Sequence, residues 1–236
     1  MKVPPPYESS PGRKRHTDRE YEAQLDKLRE RLLLMAGLVE TMIAAAVKAF
    51  AERDVELARD TIKQDAKVNT AEVSVDELCL RILATRQPMA SDLRFITLAL
   101  KMVTDLERIG DLAVNICERA IDMTDVPRAR SYEDMHSMAA LVQGMVHDAI
   151  EAFIDGNAEK AREVIARDDE VDRLYERVFQ QILEAMRNDP EAVHRGIHYQ
   201  SVAKWLERAA DHVTNIAEQV IFLVRGEDVR HPGKLI

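Results

Sequence analysis

Apolar residues recur at Leu25, Leu28, Leu32, Met35, Val39, Met42, Ala46 and Ala49/Phe50, in steps of three and four that mark one face of a long helix. A break near Arg53-Asp54 starts a second helix running to about Arg86. Pro88, with Ser91 as cap, opens a third that ends near Asp125-Val126-Pro127. Ser131 with Asp134 three residues on is a capping signal for a fourth. Asp155-Gly156-Asn157 separates the fourth from a fifth, and Asp189-Pro190, a cap followed by proline, opens a sixth closed by Gly226. Six helices over this length average about three times the ~11–12-residue norm. No alternating pattern competes with them, so an all-α fold is expected.

Composition agrees. The chain has 236 residues but only 8 Gly and 8 Pro, too few for the turns of a nucleotide-binding α/β enzyme, while 46% apolar residues can bury a real core. A formal net charge of −9 argues against a nucleic-acid partner, and Arg13-Lys14-Arg15 is too short a basic run to supply one. Cys79 and Cys117 make no disulfide framework and fall on apolar arcs as small core residues. The stretches Leu32–Val39 and Val220–Val224 are shorter than the ~20 residues of a spanning helix, so no membrane span is expected. A polar, proline-rich tail over 1–16 without an apolar run leaves the cytoplasm as the expected location.

The chain also repeats itself. Phe50, Glu56, Ala58, Arg59, Ile62, Asp65 and Val68 match Phe153, Glu159, Ala161, Arg162, Ile165, Asp168 and Val171 at a shift of 103. Leu106-Glu107-Arg108, Asp111, Asn115-Ile116 and Glu118 match Leu206-Glu207-Arg208, Asp211, Asn215-Ile216 and Glu218 at a shift of 100. The three-residue difference falls between the second and third helix of each half. The expectation is a duplicated three-helix antiparallel bundle, 17–127 and 131–226, with a further tail at 227–236.

Repeated apolar positions build two cores; repeated carboxylates need another reason. Glu107/Asp111 and Glu207/Asp211 stand at i and i+4, where like charges destabilise a helix by ~0.2–0.5 kcal/mol. With Glu118, the first pair lies at the edge of an apolar arc formed by Val103, Leu106, Ile109, Gly110, Ala113, Cys117 and Ile121, so it should line a groove beside a neighbouring helix. Leu206, Val213, Ile216, Ala217 and Val220 repeat the arc in the second half. Folding each half about its last turn sets Asp65 level with Asp111, Asn69 with Glu107, Asp168 with Asp211 and Asp172 with Glu207. Arg108 and Arg208 point about 100° away and are poor partners. Such oxygen-rich sites suit metal ions: iron(III), manganese or magnesium, with zinc also feasible. A single acidic pair is ordinarily a solvated face; two halves repeating it, each with a facing partner, weigh against that.

These residues carry a resemblance. Gln87-Pro88, Asp92-Leu93-Arg94 and the run Asp105-Leu106-Glu107-Arg108-Ile109-Gly110-Asp111 with Asn115-Ile116 resemble the signature of the PhoU family of phosphate-uptake regulators, over about 18–226. The resemblance implies two three-helix bundles, a homodimer, and metal clusters (iron or zinc first, manganese or magnesium after them) on Asp65, Asn69, Glu107, Asp111, Asp168, Asp172, Glu207 and Asp211. It also implies a non-enzymatic repressor of the phosphate regulon that contacts the phosphate transporter's ATPase and a sensor histidine kinase. One departure is Asn69, where an aspartate fits the pattern; on that count the second-half site should bind metal more tightly.

Rival constellations are weaker. Glu133/His136 and Glu191/His194 have the spacing of ferritin-like di-metal helices but lie in first helical turns, where acidic residues are favoured anyway. His194 and His198 at i, i+4 have zinc- or copper-binding spacing, but a surface pair is the plainer reading.

Overall fold

The computed structural model describes residues 19–124, 126 and 133–229. They form α1 (Arg19–Glu52), α2 (Val55–Thr85), α3 (Ala90–Asp122), α4 (Glu133–Asp155), α5 (Ala158–Ala166), α6 (Asp168–Asn188) and α7 (Ala192–Arg225), with no strand among the described residues. The tails, Thr17-Asp18 and Ser131 lie outside them. The expected fifth helix is interrupted at Arg167, whose N–H bonds to Val164 O at 3.1 Å and so tightens the ladder by one residue.

Local chemistry sets the joints. Between α1 and α2 the chain turns at Arg53, in the left-handed region at φ 59°, and Asp54 caps α2 by accepting from Leu57 N. The second half turns the same way at Gly156, φ 60°, with Asn157 capping α5 through Glu159 N and Lys160 N. Gly226 closes α7 in the left-handed conformation, donating its N–H to Phe222 O. Two expected starts shift. Ser91 sits inside the first turn of α3, and its hydroxyl meets Asp92 rather than capping. Asp189 accepts from Glu191 N in a turn before α7 begins at Ala192.

Helices α1, α2 and α3 pack on one another, and so do α4, α6 and α7, with α5 against α4 and α7. The α1 stripe from Leu28 to Phe50 is buried as its period requires, Leu25 at its edge only partly. By length and composition α1 is also apolar enough to cross a membrane, which the shorter run Leu32–Val39 understated; its buried positions here fill the first core. A contact that periodicity did not predict joins the halves: α3 packs antiparallel along α7. Midway along this seam buried Asp105 accepts from Gln219 Nε2 (2.9 Å) and Asn215 Nδ2 (3.4 Å) and pairs with His212 Nδ1 (3.0 Å). Toward the C-terminus of α3, the Arg119 guanidinium lies over the Trp205 ring. His147 of α4 adds a link to Glu40 of α1 at 2.7 Å.

Candidate functional site

Each half presents a groove between its last two long helices. In the first, Gly110 lies between Glu107 and Asp111 on α3 and faces Val68 of α2, which lies between Asp65 and Asn69. A Cβ added at Gly110 would stand 3.4 Å from Val68 Cγ1, so the walls are in close contact beneath the carboxylates. This register agrees with the expected levels to within about two residues. Asn69 donates from Nδ2 to Asp65 Oδ2 at 2.9 Å, leaving Asp65 Oδ1 buried and without a hydrogen-bond partner.

Electrostatics ties the walls together. Burial and then Asp65 hold the Asp111 carboxyl above its ordinary range. Burial, followed by Asp111, Glu72 and Asp65, does the same to Glu107. Glu72 is itself raised by burial, Asp76 and Asp111. The first groove therefore contains a carboxylate that sequence reasoning missed. Glu72 stands one turn beyond Asn69, the position where a search along the same helix face would have found it.

The second groove brings Asp168, Asp172, Glu207 and Asp211 into one electrostatic cluster. Burial, then Asp211 and Asp172, push Asp168 up to about 6, against a Thr214 hydroxyl bond that lowers it. Asp211 is raised by burial and then Glu207. Lys204, three residues before Glu207, was also missed. Its Nζ donates to Glu207 Oε1 at 2.7 Å and Oε2 at 2.6 Å, and it lies 5.4 Å from the Tyr175 ring centroid. Tyr175 Oη in turn accepts from Gln200 Nε2.

The donor chemistry fits a hard cation: carboxylate and amide oxygens only, one buried oxygen unpartnered, and mutual repulsion that a cation would relieve. Among the described residues no three histidine, cysteine or carboxylate side chains already stand placed to hold one ion. Asn69, Asp111, Asp172 and Asp211 are exposed at the rims, and Asp65, Glu107, Asp168 and Glu207 lie deeper. Convergence on an ion thus falls to side-chain torsions on fixed helices.

The rival sets are not built. His136 is exposed, and the side chain of Glu133 lies outside what is described. Asp134, next to them, accepts from Arg177 and Gln181. The His194 and His198 rings meet edge-on at 4.7 Å. His198 is buried with Nδ1 unpartnered, and burial, His194 and Arg119 lower its pKa. Cys79 and Cys117 are buried thiols pushed up to about 12 and about 11 by burial, as core cysteines are. Arg108 turns away from the groove into a cavity of about 430 Å³ along the seam, together with Lys101, Asp105 and Glu218.

The family model of the PhoU domain matches the chain twice, at residues 32–120 and 135–220, one copy for each groove. The chain belongs to the PhoU family. A relative from Pseudomonas aeruginosa, named phosphate-specific transport system accessory protein PhoU homolog, is 42% identical over 219 residues, spanning 92% of this chain and 90% of its own. The crystal structure of PhoU from Pseudomonas aeruginosa superimposes with a TM-score of 0.85 at 41% identity, covering 88% of this chain and 100% of that one. The phosphate transport system regulatory protein PhoU from Streptococcus pneumoniae follows at 0.82 and 30% identity, covering 89% and 100%. Both are single-chain matches spanning the two bundles and the seam, so the paired architecture is that of PhoU structures.

Proposed function

We propose that the chain is a metal-binding regulator of phosphate uptake and phosphate-regulon signalling. It has no catalytic chemistry of its own and represses at high phosphate from the cytoplasm, through contact with the phosphate transporter's ATPase and a sensor histidine kinase. Membership of a family whose relatives bear the names of accessory and regulatory proteins of phosphate transport carries this reading. Two long helical grooves, each walled by carboxylates, support it further. Asp65, Asn69, Glu72, Glu107 and Asp111 would hold metal in the first half, and Asp168, Asp172, Glu207 and Asp211 in the second. Iron and zinc are the leading candidates, with manganese and magnesium next. A bound ion would supply only charge neutralisation, holding the last two helices of a half together. The assembly is a homodimer.

The test is co-precipitation of the full chain with the transport ATPase and the histidine kinase at high and low phosphate. Retention of both at high phosphate is expected; failure to retain either removes the regulatory reading. Elemental analysis of untreated protein tests the metal separately, and protein without iron, zinc, manganese or magnesium would remove that part.

A further inference from the structure

The duplication that relates the grooves also shows where they have diverged. The shift of 103 sets Glu72 opposite Tyr175 and Asn69 opposite Asp172; the shift of 100 sets Thr104 opposite Lys204. Each groove therefore keeps four carboxylates: Asp65, Glu72, Glu107 and Asp111 in the first, Asp168, Asp172, Glu207 and Asp211 in the second. Among the described residues, only the second has a lysine bonded to one of these carboxylates; in the first, Arg108 acts on Glu107 through its charge while its side chain lines the cavity along the seam. In the first half the Thr104 hydroxyl bonds to Leu100 O of its own helix, and Glu107 shares its hydrogen bond with Asp111 instead of a lysine.

Lys204 is built into the second groove. Its Nζ engages both oxygens of Glu207, whose side chain is only 16% exposed, and the ring of Tyr175 flanks it. Tyr175 stands where the first half has an acid, so the residue that would add a ligand instead flanks the lysine. Any cation entering the second groove has to displace an ammonium from both Glu207 oxygens. A cation entering the first has no ammonium to displace, only the neutral Asn69 amide on Asp65 Oδ2, and meets Asp65 Oδ1 unpartnered.

We propose that Lys204 is an internal counter-cation that competes with metal for Glu207, so that the first groove loads before the second. This reverses the ranking expected from Asn69 alone, and it rests on the metal-binding reading of the grooves. Loss of this half-exposed ion pair, together with repulsion between the ammonium and the incoming cation, corresponds to about tenfold weaker binding.

The experiment is calorimetric titration of metal-stripped full-length protein with manganese(II), with electron paramagnetic resonance counting the free ion. Two classes of site are expected, the tighter lost in Asp111→Asn and the weaker in Asp211→Asn. Lys204→Thr, which copies the first half, should tighten the weaker class about tenfold and leave the other unchanged. Lys204→Arg, which keeps the cation, should behave as the parent; circular dichroism of each variant verifies the fold. Loss of the tighter class in Asp211→Asn, or unchanged binding in Lys204→Thr while Asp111→Asn and Asp211→Asn each still remove a class, overturns the role of Lys204 and leaves the grooves as metal sites. No manganese binding in any variant overturns the metal reading and this inference with it.

Discussion

The first groove and the second descend from one sequence and share a helix register, yet they meet their crowding of carboxylates differently. In the first, repulsion is left standing: burial raises Glu72, Glu107 and Asp111, with Asp111 adding to the first two and Asp65 to the last two. In the second, Lys204 pairs with Glu207 and lowers Asp211 against burial and Glu207, and Asp168 is pushed up to about 6 by burial, Asp211 and Asp172. One duplicated scaffold thus holds an open anionic site beside a partly self-neutralised one. Counting ligand types in a motif does not rank such sites; the charges one helical turn away do.

The largest effect is expected from exchanging the groove identities. Glu72→Tyr with Thr104→Lys gives the first groove the second's tyrosine and lysine while Asn69 still stands in place of Asp172, and manganese(II) affinity there should fall about a hundredfold, a tenfold factor for each charge changed; titration calorimetry reads it. Next is a contrast between glycines. A Cβ at Gly196 would stand 2.3 Å from Met186 Cε and 3.2 Å from Ile182 Cγ2, so Gly196→Ala should cost about 1–3 kcal/mol by overpacking α6 against α7, measured by urea unfolding.

A smaller effect is expected at Asp168 in chelator-treated protein. Its carboxyl holds a proton in the fold up to about pH 6 but releases it near 3.8 when unfolded, so stability falls as pH rises through that window. Asp168→Asn, neutral throughout, should be more stable than the parent by about 1 kcal/mol at pH 7, allowing for solvent screening, and equal to it below about pH 4. Thermal melts across pH check it; an equal gain at pH 3.5 would remove the electrostatic explanation. The smallest is Gly110→Ala. The added methyl meets Val68 at an ordinary contact distance, and the second half already has Ala210 there, so a gain of at most about 1 kcal/mol is expected from helix propensity.

How much of this was legible beforehand follows from what periodicity encodes. The apolar stripes of α1, α3 and α7 each needed one burying face, and that requirement is written at i, i+3, i+4 spacing. The register of Asp65 against Asp111 followed from turn position and helix rise alone. Glu72 and Lys204 escaped because the search followed the repeated residues, and these are the positions where the halves differ. The α3–α7 seam escaped for another reason. Its apolar side on α3, with Leu98, Met102 and Leu112, widens the buried arc without changing its period, and it surrounds the polar Asp105, which reads as a surface residue. The interruption at Arg167 carries no glycine or proline to announce it.

That seam has a consequence for how the chain came to be. The shift of 100 sets Trp205 in the place of Asp105, Gln219 in that of Arg119 and His212 in that of Leu112. Had the two halves remained separate, identical subunits, every contact across α3 and α7 would have occurred twice, once on each side. An aspartate clasped by His212, Asn215 and Gln219 on one side of the pseudo-twofold and a tryptophan beneath an arginine on the other require two copies that differ in sequence. Carried on one chain, the halves are free of that symmetry, and the same freedom allows a lysine in one groove where the other has a threonine.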